Sequence, residues 1–222
     1  MSPLSREESD VRKVGISGTV GDAAIATATL VALGSGIWLL HGGTAPKAPP
    51  QPPAAQSVTA TDRTDSGAPA LPPSPPDRIR IPSIRVDAPL TDLGLSGTGR
   101  LQAPPPTDQN LAGWYRGGAT PGETGTSIVA GHVDTAAGPA VFYNLGVLQK
   151  GNTIEVHRQD GSTAVFTVYA VRVFEARNFP DRTVYGAAYR PELRVITCGG
   201  GYAPGTGYQG NVVAFAYLTG RR

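Results

Sequence analysis

From residue 78 onward, apolar and polar residues alternate in short runs closed by Gly, Pro and Asp, the pattern of strands buried on one face. The runs are Arg78 to Ile81, Ile84 to Ala88, Ser127 to Ala130, Thr153 to His157, Ala164 to Phe174, Leu193 to Thr197 and Asn211 to Tyr217. Asp160-Gly161, between the fourth and fifth runs, is a hairpin turn signal, because such pairs accept the left-handed backbone of a two-residue turn. Phe142-Tyr143-Asn144-Leu145 with Val147-Leu148 predicts one short helix. Seven or eight strands at this spacing make a barrel or a sandwich. No internal repeat is visible.

The pattern differs before residue 78. Residues 23–40 carry no charge, and the weakly apolar stretch 14–21 precedes them with only Asp22 between. About twenty such residues span a hydrocarbon core of roughly 30 Å. A buried helix and a cleaved signal peptide compete with a membrane helix here, and the membrane helix is favoured because the Pro-rich stretch after it offers no globular core to pack against. Arg6, Arg12 and Lys13 precede the span and only Lys47 lies close after it, which favours an amino terminus inside the cell and the remainder outside. Residues 41–77 are rich in Pro, Ala, Ser and Thr, with pairs such as Pro49-Pro50 and Pro72-Pro73. That composition buries too little apolar surface to offset its ordering entropy and reads as a stiff tether. The expected organisation is a cytoplasmic end (1–13), a membrane anchor (14–40), a disordered linker (41–77) and a folded, extracellular domain (78–222).

Composition narrows the function classes. Among 222 residues, 29 Gly and 21 Pro argue against a mostly helical protein, and a net charge of +2 without basic-aromatic runs argues against a nucleic-acid partner. One cysteine excludes an internal disulfide and leaves no thiol set for structural zinc. His41, His132 and His157 form no short ligand pair, so neither metal nor cofactor is expected.

The single cysteine is the most informative residue. A free cysteine is more often a small buried hydrophobe than a nucleophile. Cys198, however, ends a strand-like run and meets Gly199-Gly200-Gly201, which has no side chains to cover it. A second apolar run ending in Ala130-Gly131 delivers His132, and one thiol with one imidazole is the minimum equipment for nucleophilic cysteine catalysis.

The segments Thr126-Ser127-Ile128-Val129-Ala130-Gly131-His132-Val133-Asp134-Thr135, Leu193-Arg194-Val195-Ile196-Thr197-Cys198-Gly199-Gly200 and Asn211-Val212-Val213-Ala214-Phe215-Ala216 together resemble the sortase family. The GHxDT and TC pair is nearest to the actinobacterial class F forms, or to class E, and the likeness runs from about Arg78 to Thr219, including the opening Arg80-Ile81-Pro82-Ser83-Ile84. The resemblance implies a mainly β fold, a closed eight-stranded barrel with one or two short helices, carried behind a membrane helix and a Pro-rich linker. It also implies a cysteine transpeptidase. Cys198 would attack the Thr-Gly carbonyl of an LPxTG-like sorting signal on a secreted protein, His132 would move the protons, and an amine of peptidoglycan or of another protein would resolve the thioacyl enzyme. With thiolate and imidazolium a minor population, a slow enzyme is expected.

One feature of the family is missing. Sortases carry an arginine on or just before the strand after the cysteine loop, and this chain has none between Cys198 and Thr219. Loss of one oxyanion donor costs about a hundred- to a thousandfold in turnover. Asn211, about the right distance beyond Cys198, is the first candidate substitute, with a plain turn residue as its alternative. Arg194 is the second, because Arg194, Ile196 and Cys198 share a strand face, with a solvated strand residue as its alternative. Asp134 is a candidate to orient His132 or else a loop residue bonding its own backbone. Trp114, Tyr115, Tyr202 and Tyr208 are candidates to line a peptide groove, core packing being their default, and His157 is assigned to the surface. A peptide-binding barrel with little turnover is the competing function. A peptidoglycan L,D-transpeptidase is a distant third, because Cys198 follows Ile196-Thr197 instead of the Ser-x-Gly of that signature.

Overall fold

The alternating runs become ten strands: β1 (Pro76–Ile81), β2 (Val86–Leu93), β3 (Ala112–Tyr115), β4 (Gly125–Gly131), β5 (Asp134–Thr135), β6 (Gly138–Pro139), β7 (Thr153–Arg158), β8 (Thr163–Glu175), β9 (Pro191–Ala203) and β10 (Gly207–Arg221). The computed structural model describes residues 48–53 and 67–222, all within one compact unit, Pro46–Arg222. Eight strands close a barrel in the order β1-β2-β3-β4-β9-β10-β8-β7, and β7 pairs with β1 to complete it. All neighbours are antiparallel except β2 with β3 and β4 with β9.

Period-two alternation separates two apolar layers. On β10, Val212, Ala214, Ala216 and Leu218 point into the barrel with Leu193 and Val195 of β9, Val129 of β4 and Phe166 of β8. An eight-stranded barrel has an interior just wide enough for side chains to fill, which explains why so many of these positions carry small or branched residues. The intervening residues Val213, Phe215 and Tyr217 face outward and pack with Ile128, Ile196 and Tyr169 beneath the β8–β9 connection. That connection holds a 3-10 turn (Ala176–Asn178) and one short helix, α1 (Asp181–Val184), whose Val184 is buried in this outer layer. The outer layer is the floor on which the functional site is built.

Several expectations are corrected in detail. The run Ile84 to Ala88 starts as a strand only at Val86, because Pro82–Ile84 forms a 3-10 turn closed by Arg85 at φ 57°, whose N–H donates to the Pro82 carbonyl at 3.1 Å. Residues 142–148 give only a 3-10 turn, Leu145–Val147. β3 was not anticipated, being four residues of Ala-Gly-Trp-Tyr without alternation. β9 and β10 run past the cysteine as a long hairpin, their residues Gly207 and Ala203 facing each other. Part of the expected tether lies along the barrel. Ala68 N–H donates to Leu218 O and Leu71 N–H to Gly122 O, both at 2.8 Å, and the Pro72 carbonyl accepts from the buried guanidinium of Arg158. The expected membrane helix lies outside the described residues, and among those residues no helix is long and apolar enough to cross a membrane.

Candidate active site

The parallel pairing of β4 with β9 puts the two predicted residues on neighbouring strands, Cys198 within β9 and His132 just after β4. Its register runs Ile128 with Arg194, Val129 with Val195 and Ala130 with Ile196. Thr197 Oγ1 then donates to the Gly131 carbonyl at 2.9 Å, one residue short of Cys198 on β9 and one short of His132 after β4. Neighbouring strands lie about 4.8 Å apart, within side-chain reach. Gly131 has no room for a side chain: a Cβ there would fall 2.6 Å from Phe142 and 2.7 Å from Val141.

The imidazole is held by the backbone. His132 Nε2 lies 2.8 Å from the carbonyl oxygen of Pro104 in the β2–β3 connection. A carbonyl only accepts, so Nε2 carries the proton and Nδ1 is not engaged by that bond. Asp134, the expected orienter, is engaged elsewhere, since its carboxylate accepts a short hydrogen bond from the Tyr208 hydroxyl.

That pair bears on the thiol. Cys198 is exposed within β9, yet enough protein surrounds its sulfur that burial pushes the thiol pKa up, and the Asp134 carboxylate adds to the rise. Tyr208 is raised too, by burial and then by its bond to Asp134. Tyr208 also stacks edge-on against Tyr202, with ring centroids 5.3 Å apart, so the glycine-rich hairpin is pinned beside the cysteine.

Asn211 pairs directly with Cys198 in the β9–β10 register. Its side-chain amide makes no hydrogen bond among the described residues, and it lines a cleft of about 730 Å³. Tyr115, Thr126, Ile128, Phe179 and Tyr185 also line that cleft, whose size suits a peptide or small ligand.

Arg194 does share the outer face with Cys198, but it is committed. It lies four residues back, about 13 Å along the strand at 3.3 Å per residue. Its Nη2 is 2.6 Å from Glu192 Oε2 and its guanidinium sits 4.7 Å from the Phe215 ring centre. Burial works against the Glu192 carboxylate, but Arg194 and Arg190 outweigh it and hold the pKa below the usual carboxylate value. Tyr169 donates to Glu192 at 2.9 Å, and burial pushes its own pKa up to about 12. Arg194 therefore braces the barrel wall, a correction to its candidacy as the oxyanion donor.

The aromatics divide. Tyr115 lines the cleft, whereas Trp114 is buried and donates to the Ala119 carbonyl at 3.2 Å. His157 is exposed, 2.6 Å from Asp77. Two participants carried no sequence signal: the Pro104 carbonyl, which any residue type could supply, and Gln51 of the tether. Gln51 Oε1 accepts from the Gly200 N–H at 3.1 Å, and Pro50 runs against Gly146.

The closed eight-stranded barrel, with Cys198 on β9 and His132 just after the parallel neighbour β4, defines the fold class. Residues 79–219 match the model of the sortase domain family, and the chain belongs to that family. Its barrel resembles sortase A of Listeria monocytogenes, with a TM-score of 0.50, 17% identity, and coverage of 67% of this chain and 90% of that one. It also resembles the SrtA sortase of Actinomyces oris, with a TM-score of 0.50, 19% identity, and coverage of 72% and 89%. No curated protein matches the chain.

Proposed function

We propose that the protein is a sortase-type cysteine transpeptidase that cleaves an LPxTG-like signal between Thr and Gly and passes the acyl group to an amine of the cell envelope. The observation that supports this reading is the parallel β4–β9 register, which carries His132 and Cys198 on neighbouring strands, with Asn211, the partner of Cys198, lining a cleft. The Cys198 thiolate attacks the threonine carbonyl carbon, and the carbonyl π electrons move onto oxygen. The free amide of Asn211 donates to that oxyanion, a neutral stand-in for the family arginine. The tetrahedral intermediate collapses to a thioester as Nδ1 of the His132 imidazolium gives its proton to the departing glycine amine. The acceptor amine then attacks the thioester, hands a proton back to Nδ1, and releases the thiolate.

A raised thiol pKa keeps the thiolate a minor species near neutral pH, in accord with a slow enzyme. The motif forms favour class F, or class E, and the residue pattern before the barrel favours a single-pass anchor with the catalytic domain outside the cell. The test is transfer itself. The chain, incubated with a fluorogenic LPxTG peptide and triglycine, should form the ligated product, and Cys198→Ala and His132→Ala should not. Peptide binding without any product from the native chain would replace the transpeptidase with a peptide-binding role.

A further inference from the structure

Two cleft residues have no assigned task. Arg100 and Arg177 both line the cleft, and neither guanidinium has an ion pair or hydrogen bond among the described residues. Topology puts both near its catalytic end. Arg177 follows Glu175 by two residues, and Glu175 pairs with Gly210, the neighbour of Asn211. Arg100 ends a tight turn, its carbonyl accepting from the Ser96 N–H at 2.7 Å, and lies four residues before Pro104, which holds His132. The acidic member of the lining, Asp181, opens α1, and the segment just after α1 is tied to the start of β4 by Thr126 Oγ1 donating to the Gly186 carbonyl at 2.7 Å. β4 leaves that tie and reaches His132 six residues later, about 20 Å away. The described lining thus carries two arginines against one aspartate, a positive balance in the cleft that Asn211 also lines.

We propose that Arg100 and Arg177 are specificity-determining residues that select a sorting signal with an acidic side chain at the variable position just before the threonine. The inference rests on the cleft being the sorting-peptide groove of the proposed transpeptidase. An extended peptide with its threonine carbonyl at Cys198 and its preceding residues passing Asn211 advances about 3.3 Å per residue into the cleft that both arginines line. A carboxylate there meets two unpaired guanidinium groups, each able to donate to it in a forked geometry. A lysine at the same position meets like charge. Because the cleft is open to water, each contact is worth only a few-fold in affinity and is screened by salt.

Binding is measured with the full chain carrying Cys198→Ala, so that turnover plays no part, using fluorescent LPETG, LPQTG and LPKTG peptides. LPETG should bind about fivefold or more tightly than LPQTG and LPKTG weakest, with the spread shrinking in high salt. Arg100→Gln and Arg177→Gln should each narrow the spread, and the pair should erase it, while LPQTG binding stays within about twofold. Equal binding of the three peptides, no binding of any, or a spread unchanged in the double variant would overturn the proposal. Its failure is separable from that of the transpeptidase reading: thioester formation on the native chain with all three peptides at equal rates sinks only the charge selection. A charge-ordered binding series with no thioester on the native chain sinks only the chemistry.

Discussion

The two ring nitrogens of His132 have different tasks. Nε2 is spent on the Pro104 carbonyl, which leaves Nδ1 for the acid and base role in the proposed reaction. Asp134 acts on the sulfur instead of on the ring. Its negative charge, together with burial, disfavours the thiolate, so alkylation of native Cys198 should climb with pH only above the range of an unhindered thiol. Asp134→Asn removes one of the two causes, and the iodoacetamide rate profile should move to lower pH; a profile that stays put, or moves up, contradicts the electrostatic role. Asn211→Ala should lower kcat about a hundredfold with little change in KM, the signature of a group that acts mainly in the transition state. A tenfold rise in KM at unchanged kcat would make Asn211 a substrate-binding residue only. His132 and Cys198 were legible in the sequence because each closes an apolar run next to glycine. The Pro104 carbonyl was not, since a backbone oxygen leaves no trace in residue type, and the Asp134–Tyr208 bond spans a register that only the folded hairpin sets.

Strands explain why the site lies where it does. β4 ends at Gly131 while its parallel neighbour β9 runs on past Cys198 to pair with β10, and the outer faces of the three strands form a continuous floor because their alternation is in step. Arg194 belongs to that floor. It faces the same way as Cys198, as period two requires, yet its partner Glu192 lies on its own strand two residues back, a pairing that strand alternation permits. Removing one member of a buried ion pair costs about 3 kcal/mol. Arg194→Ala should therefore lower the unfolding free energy by that order in urea titrations, while Asn211→Ala leaves it nearly unchanged. Loss of activity in Arg194→Ala with native stability would return Arg194 to the chemistry. The long strands were visible from their alternation. β3 escaped notice because Gly113 breaks its pattern: Leu93 packs over it so closely that a Cβ would fall 2.4 Å from Leu93 Cγ. The glycine permits that approach, and its absence of side chain is what erased the strand signal.

Across the molecule as a whole, the Pro-rich region is more than a spacer. Residues 67–75 run along the barrel wall, and Gln51 reaches the glycine loop beside the cysteine. Composition could not show this, because proline-rich segments bury little of their own surface yet still present carbonyls and side-chain amides to a folded neighbour. Gly146 marks the contact, since a Cβ there would lie 2.0 Å from the Pro50 carbonyl oxygen. Gly146→Ala should push residues 49–51 away and raise the hydrogen-exchange rate of the Gly200 amide, as should Gln51→Ala; protection unchanged in both would mean that the strap contributes nothing to order at the loop. Everything proposed for the barrel turns on the sulfur, and the decisive measurement is the intact mass of the chain after brief exposure to an LPxTG peptide without added amine, followed by peptide mapping. The expected result is a gain equal to the acyl fragment through threonine, located on Cys198, released by hydroxylamine and absent from Cys198→Ala. An unmodified Cys198 across acidic, neutral and basic signal peptides, in a folded chain whose thiol still alkylates, would refute the transpeptidase chemistry.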